Sequence, residues 1–285
     1  MENVNKGFVL ITGATSGIGE STAQHALDEG YHIIAGCYPD TGVGESLKQY
    51  APNRVTLIPL DVTNDESVRA AGDKVTGVVG DNGLKGLVNS AGVAMLSPVE
   101  LITTEEFRQV VNINLVGTFS ILREMLPHLR RGRGTIVNIS SDAGLLAMPT
   151  GGAYCASKFG MEALSDVVRA ETRDQGINVA IIEPGNIDTP IWETLHGPIR
   201  KKLASLDSAL KPYYADYLES LLATERQGIP VERVARAILK ALNSRKPKTR
   251  YRVGPDSHVS WLVAKLPARF RDSIANRVVK SYASK

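Results

Sequence analysis

Short apolar runs recur along the chain, separated by helix-length stretches whose apolar positions fall three or four apart. Seven runs have strand character: Phe8–Thr12, His32–Gly36, Thr56–Leu60, Gly86–Asn89, Thr135–Ser140, Asn178–Glu183 and Tyr251–Val253. They read as continuous apolar runs rather than alternating ones, as strands covered on both faces require. Helical spacing falls between them, over residues 18–29, 65–79, 105–130, 153–175 and 231–243. Alternating strands and helices predict a parallel sheet wrapped on both sides. Right-handed crossovers then give one doubly wound α/β (Rossmann) domain over residues 1–254, with a sheet of about seven strands.

The rhythm breaks after Pro184. Gly185 to Pro230 has no strand pattern yet carries Ile191, Leu195, Leu203, Leu206, Tyr213, Tyr214, Tyr217 and Leu221. A structureless insert of that length is uncommon in a compact domain. The pattern predicts a helical insert over about 186–230, packed over the sheet's edge. Ligands of such folds bind beyond the carboxyl ends of the strands, and the insert follows one such end, so it is the expected substrate lid. The final segment, 255–285, mixes Trp261, Leu262, Leu266 and Phe270 with Arg and Lys. It reads as a basic amphipathic tail, either packed on its own domain or resting on an anionic membrane as a peripheral contact.

Composition narrows the class. The 285 residues are 43% hydrophobic, enough for a sizeable core. The net charge of +3 hides an asymmetry: residues 243–285 hold eleven Lys/Arg against two Asp, a local +9, which leaves −6 elsewhere. No nucleic-acid recognition motif accompanies the basic tail, so nucleic acid is not an expected partner. Two cysteines, Cys37 and Cys155, fit a reducing compartment. Met1–Lys6 lacks the charged-then-apolar layout of a secretion signal, and no uninterrupted apolar run reaches spanning length. A cytoplasmic location is expected. His25, His32, His128 and His258 have no ligand-like spacing, and His196 falls in the lid, so no metal site is expected.

Two groups of residues carry chemistry. The first strand ends in Thr12-Gly13-Ala14-Thr15-Ser16-Gly17-Ile18-Gly19. Glycines allow a tight turn and close approach of a pyrophosphate. The helix that follows offers free N–H groups and the positive end of its dipole. A turn made glycine-rich for steric reasons alone is the plain alternative, but this one joins the first strand to the first helix. Second, Tyr154 and Lys158 stand four apart and share a helix face. A nearby ammonium favours phenolate and should bring the phenol below its usual value near 10. Such a phenol can take a proton from an alcohol or return one to a ketone oxygen. An exposed Tyr–Lys helix pair is the ordinary alternative. Ser141, thirteen residues before Tyr154 at the end of the fifth strand run, argues against it.

The G-x-x-x-G-x-G turn resembles that of the short-chain dehydrogenase/reductase family. Asp61-Val62, Asn89-Ser90-Ala91-Gly92 and Pro184-Gly185-Asn186-Ile187-Asp188-Thr189 are similar to its later motifs in family order, with a departure at Ser90, where the family has Asn. The Ser141–Tyr154 spacing is also the family's. The resemblance implies a catalytic tetrad of Asn114, Ser141, Tyr154 and Lys158. Ser141 would hold the substrate oxygen and Tyr154 move the proton. The Asn114 carbonyl would hold a water joined to Lys158, and Lys158 would also touch the nicotinamide ribose. For the cofactor it implies Gly13, Thr15, Ser16, Gly17, Ile18 and Gly19 at the first turn, Cys37 and Tyr38 after strand two, and Asp61 and Val62 at the adenine. Asn89, Ala91 and Gly92 follow strand four, and Pro184, Gly185, Ile187 and Thr189 approach the carboxamide. Cys37 stands where the family often has Asp, nothing cationic lies close in sequence, and Asp40 would repel a 2′-phosphate. NAD is therefore expected, with NADP the alternative.

Stretches around Ala35-Gly36-Cys37, Tyr154–Asp166 and Pro247–Tyr251 look like the branch holding retinol, hydroxysteroid and 3-hydroxybutyrate dehydrogenases. Members acting on retinoids often carry an N-terminal membrane anchor; the polar Met1–Lys6 leads to the expectation of none here, which tells against a retinol substrate. The apolar stretches Val93–Leu96 and Gly144–Pro149 point to a hydrophobic, steroid-like secondary alcohol or its ketone. A 3-hydroxybutyrate-type acid is the alternative, with Arg200, Lys201 and Lys202 as candidate carboxylate partners. A catalytically silent nucleotide-sensing scaffold is the alternative of another class, though it would be expected to have lost Tyr154 or Lys158. Relatives pair through the helices matching 105–130 and 153–175, so a homodimer or homotetramer is expected by resemblance.

Overall fold

In the computed structural model, which describes residues 5–38, 44–223 and 228–283, the seven expected strands form one parallel sheet. They are β1 (Phe8–Thr12), β2 (His32–Cys37), β3 (Val55–Pro59), β4 (Leu84–Asn89), β5 (Thr135–Ile139), β6 (Asn178–Pro184) and β7 (Arg250–Val253). Their spatial order is β3-β2-β1-β4-β5-β6-β7, so the chain changes winding direction between β1 and β4. A crevice opens at such a point beyond the carboxyl ends of the strands.

Helices cover both faces: α1 (Gly17–Asp28), α2 (Glu45–Tyr50), α3 (Asp65–Val79), α4 (Thr104–Val111), α5 (Gly117–Gly132), α6 (Gly152–Thr172) and α9 (Glu232–Leu242). Alternate strand residues feed two cores. Val9, Ile11, Ala35, Val137 and Ile182 join Ala23, Leu27, Val234 and Ile238 on one face. Leu10, Ile34, Leu87, Ile136 and Val179 join Val68, Val75, Ile121 and Met125 on the other. Burial on both sides explains why the strand sequences are continuously apolar. Asn64 caps α3 by accepting from the N–H groups of Glu66 and Ser67, and Thr103 with Glu106 forms a capping box at α4.

Two differences from the sequence reading matter for the site. The helix expected over 105–130 is interrupted by a π-helical turn at Asn112–Val116 between α4 and α5. Apolar spacing runs through the interruption and does not reveal it. The insert after β6 forms α7 (Ile191–Ala204) and α8 (Lys211–Ala223). These bury Leu195, Ile199, Leu206 and Leu218 against Ala94, Leu96 and Leu101, so the insert packs on the loop after β4. Beyond β7 come α10 (Pro255–Val263), against β7 and the turn Asp142–Gly144, and α11 (Ala268–Ala283), against α8. The Tyr217 hydroxyl donates to Asn276 Oδ1 at 3.1 Å across that last contact. No helix among the described residues is long and apolar enough to cross a membrane.

Candidate active site

The first turn, the loop after β4 and the segment after β6 converge at the winding switch. Gly13 adopts φ +63°, and a Cβ there would lie 2.9 Å from the Ala91 Cα. Gly17, at φ +50°, would bring a Cβ to 3.5 Å from the Thr189 methyl. Thr12 Oγ1 accepts from the N–H groups of Ser90 (3.1 Å) and Ala91 (3.0 Å), clamping the two loops together. Ser90, the departure from the family motif, contributes there through its backbone alone. Ser16 is the N-cap of α1 but makes no side-chain cap hydrogen bond, which leaves the helix's leading N–H groups to a ligand. Asn89 is buried and donates to Asn138 Oδ1 at 2.8 Å, which fixes the end of β4 against β5. These residues fit a dinucleotide: backbone comes close, side chains stay away, and a helix dipole points at the place the phosphates would take.

The other cofactor candidates spread along the same sheet edge. Cys37 and Asp61 flank the ends of β2 and β3, joined by the Leu60 N–H donating to the Cys37 carbonyl at 2.7 Å. Cys37 is buried with its thiol pushed up by desolvation, so it presents no charge to a ribose. Tyr38 is exposed, while Asp40 lies outside the described residues. The Asp61 carboxylate accepts from the Thr63 N–H (2.9 Å) and hydroxyl (2.7 Å). Val62 packs on Gly117, where a Cβ would be 2.7 Å from a Val62 methyl. Pro184 pairs with Val253, and the Gly185 N–H donates to the Val253 carbonyl at 2.9 Å. Ile187 is buried and bridges to Ile229. Thr189, two residues on, is the member of this segment that returns to the first turn.

The four catalytic candidates meet beside that cradle. Ser141 follows β5 and Tyr154 lies in the first turn of α6, and the two side chains are close enough for Ser141 to act on the phenol. Lys158 is buried, with its Nζ 5.6 Å from the centre of the Tyr154 ring. Nζ donates to the Ile139 carbonyl at 2.8 Å, which turns the amine toward the end of β5. Gly92 keeps the space open: a Cβ there would lie 3.3 Å from Asn114 Oδ1 and 3.9 Å from Lys158 Nζ.

Asn114 occupies the π-helical turn and is fully buried. Its amide grips the backbone of Val93 in both directions, accepting from the N–H at 2.8 Å and donating to the carbonyl at 2.9 Å, and donates to Ser157 Oγ at 3.0 Å. The Asn114 carbonyl accepts from the Thr118 hydroxyl at 2.8 Å. The side chain thus ties the loop after β4 to the catalytic helix. A π-turn supplies the extra residue that aims it inward.

Electrostatics depart from the sequence expectation in one respect. Burial raises Tyr154 to about 12, with its hydrogen bond to Ser141 pulling the other way and Asp142 adding to the rise. Burial also brings Lys158 down to about 8, with Glu162 opposing. Spacing anticipates the attraction between ammonium and phenolate. It does not show that Lys158 is buried and Tyr154 half-buried, and desolvation penalises each charge separately.

Several residues of the site escape a reading of motifs. Asp142 accepts the Ser141 hydroxyl proton at 2.9 Å. Ser157 links Asn114 to α6. Behind Lys158, Glu162 accepts from Arg250 Nε at 3.0 Å, and the buried Glu183 lies 3.2 Å from Arg250 and 3.1 Å from Arg252. Desolvation raises Glu183 to about 7. The alternation Arg250-Tyr251-Arg252 in a sheet strand was the available signal, since arginines there need buried carboxylates. Of the α7 cations, Lys202 is engaged by Glu106 (3.0 Å) and the Leu101 carbonyl (2.6 Å), while Arg200 and Lys201 are exposed. Among the described residues, no cluster of His, Cys, Asp or Glu could hold a metal ion.

Comparison with known proteins places this geometry. Residues 7–198 match the family model for short chain dehydrogenases. Short-chain dehydrogenase/reductase family 9C member 7 of Homo sapiens is 39% identical over 285 residues, covering 96% of this chain and 90% of that protein. Retinol dehydrogenase 5 of Mus musculus is 36% identical over 278 residues, 94% of this chain and 87% of that one. Among solved structures, a short-chain dehydrogenase from Streptomyces avermitilis superposes with a TM-score of 0.76 at 27% identity, over 92% of both chains.

Proposed function

The chain belongs to the short-chain dehydrogenase/reductase family and is an NAD(P)-dependent oxidoreductase acting on CH–OH groups; from that premise we propose that it interconverts a hydrophobic, steroid-like or retinoid-like secondary alcohol and its ketone, using NAD. The observation that carries the reading is the convergence of Tyr154, the buried Lys158 with its Nζ 5.6 Å from the phenol ring centre, and Ser141 just past the end of the same strand whose Ile139 carbonyl holds that amine.

A bound nicotinamide would supply the hydride chemistry. The chain's own residues do the rest. Ser141 donates to the substrate oxygen and holds it in reach of Tyr154. Tyr154 takes the alcohol proton in oxidation and returns it in reduction. Lys158 keeps a cation below the phenol and compensates the charge that develops on it. Asn114 holds the Val93 loop and α6 at fixed separation, so the hydroxyls stay aligned.

A hydrophobic substrate is supported by the apolar lid, in which Leu195, Ile199, Leu206 and Leu218 face Ala94, Leu96 and Leu101. The retinol dehydrogenases among its relatives point the same way. The hydroxy-acid alternative draws no support from Lys202, whose ammonium is already engaged. NAD is favoured by the neutral Cys37 and exposed Tyr38 after β2, which offer no cation to a 2′-phosphate. Retention of Tyr154 and Lys158 in one site weighs against a silent scaffold. Exposed apolar residues on α4, α5, α6 and the π-turn (Phe107, Val116, Phe119, Phe159) support self-association. Exposed Leu262, Leu266 and Phe270 beside Lys265 and Arg269 support a peripheral contact with an anionic membrane. Two buried free cysteines are compatible with the cytoplasm.

The test is turnover of steroid, retinoid and short hydroxy-acid panels with NAD and NADP in turn. Tyr154→Phe should retain cofactor binding and lose at least a thousandfold in kcat, within the range for a general acid–base group. Unchanged turnover of that variant would remove the assignment, and a lower KM for NADP would overturn the preference for NAD.

A further inference from the structure

We propose that Asp142 is a positioning residue that governs the Ser141 proton, and that helix α10, which follows β7, holds it in place. The proposal rests on Ser141 and Tyr154 being the catalytic pair. A serine hydroxyl has one proton to give. Ser141 gives it to Asp142 Oδ1 at 2.9 Å while its oxygen accepts from the Ala143 N–H at 3.1 Å. A carboxylate is a stronger acceptor than a neutral carbonyl or alcohol oxygen, so a substrate oxygen must draw the Ser141 proton away from Asp142.

The second Asp142 oxygen receives the Ser260 hydroxyl of α10 at 3.4 Å, from 118 residues further along the chain. Helix α10 is itself anchored. Its Trp261 ring lies under the Arg252 guanidinium at 4.4 Å and the Lys265 ammonium at 3.5 Å, and Arg252 reaches Glu183 at 3.1 Å. The C-terminal segment thereby touches the catalytic serine through one carboxylate.

The Asp142 charge also bears on Tyr154. The groups facing that phenol are Lys158 and Cys155 from α6 and Ser141 and Asp142 from the turn after β5. Helix α10 brings a neutral hydroxyl to this turn, and its own titratable residues Asp256 and His258 are exposed. An anion beside the phenol opposes phenolate formation. It therefore hinders proton removal from an alcohol and assists proton delivery to a ketone.

Asp142→Asn preserves shape and removes the charge. The alkaline-rising limb of kcat/KM for alcohol oxidation is expected to move down by about one pH unit, the size of effect one neighbouring charge exerts. The ultraviolet titration of the Tyr154 phenolate, taken as the difference from Tyr154→Phe, should move the same way without any substrate present. Ser260→Ala, which removes a donor that offsets the Asp142 charge, should produce a smaller shift in the opposite direction and none in the Asp142→Asn background. If Asp142→Asn does not fold, Ser260→Ala decides by itself: a shifted limb supports the proposal and an unmoved one overturns it. A folded Asp142→Asn with lower turnover but an unmoved limb and phenolate titration makes Asp142 a turn-former only and overturns it. Absence of wild-type turnover on every alcohol tried would instead count against the oxidoreductase reading, and the phenolate titration would still decide the role of Asp142.

Discussion

Alanine at position 19 tests the cofactor cradle more sharply than any change to a catalytic side chain. Gly19 is the third residue of α1 and packs against the start of its own turn. A Cβ there would overlap the Gly13 carbonyl oxygen, lie 2.8 Å from the Gly13 carbonyl carbon and 3.2 Å from the Ala14 Cα. Ordinary contact begins at 3.4 Å. All three obstacles are backbone, so no rotamer change relieves them, and the turn and helix end must part by roughly 1 Å, enough for about a hundredfold loss where geometry matters. Overpacking should also cost the fold about 1–3 kcal/mol. Gly77 in α3 is the control: a Cβ there meets nothing within 4 Å, and Gly77→Ala should stabilise by about 0.5–1 kcal/mol. The assays are titration of NADH fluorescence and chemical denaturation. Gly19→Ala should weaken cofactor binding by one to two orders of magnitude, about 1.4–2.7 kcal/mol, while Gly77→Ala leaves it unchanged. Wild-type affinity in Gly19→Ala would show that the turn does not hold the dinucleotide.

Two further outcomes follow from burial and exposure. Lys158→Met should abolish turnover yet stabilise the fold at neutral pH by about 2 kcal/mol: bringing the amine from 10.5 down to about 8 costs about 3 kcal/mol, and losing the hydrogen bond to Ile139 returns about 1. Between pH 8 and 10.5 the unfolded chain keeps a proton that the folded chain releases, so wild-type stability should rise with pH relative to the variant; thermal melts across that window check the sign, and a less stable variant at pH 7 refutes it. Joint replacement of the exposed Leu262 and Phe270 by Asp should abolish co-sedimentation with phosphatidylserine-containing vesicles and leave turnover of a water-soluble alcohol intact; equal sedimentation of both forms removes the membrane contact.

Local pattern carried much of this fold. Phe8–Thr12 and Asp65–Val79 fall where the apolar runs place them, because strand and helix periods are written in neighbouring side chains. The glycine turn and the Tyr154–Lys158 pair were equally legible as local arrangements, since each involves residues a few positions apart. The π-turn at Asn112–Val116 was not, because one extra backbone residue leaves apolar spacing almost unchanged while redirecting Asn114 onto Val93 and Ser157.

What the sequence by itself determined is the alternation of strands and helices, the phosphate-ready first turn, and a phenol, an amine and a serine in an order suited to proton transfer. Only the tertiary structure decided how those groups are charged and who else touches them. Burial moves Tyr154 up and Lys158 down, and packing delivers Ser260 to Asp142 across 118 residues. Desolvation and long-range contacts depend on what surrounds a group in space, and no spacing along the chain encodes that surrounding in readable form.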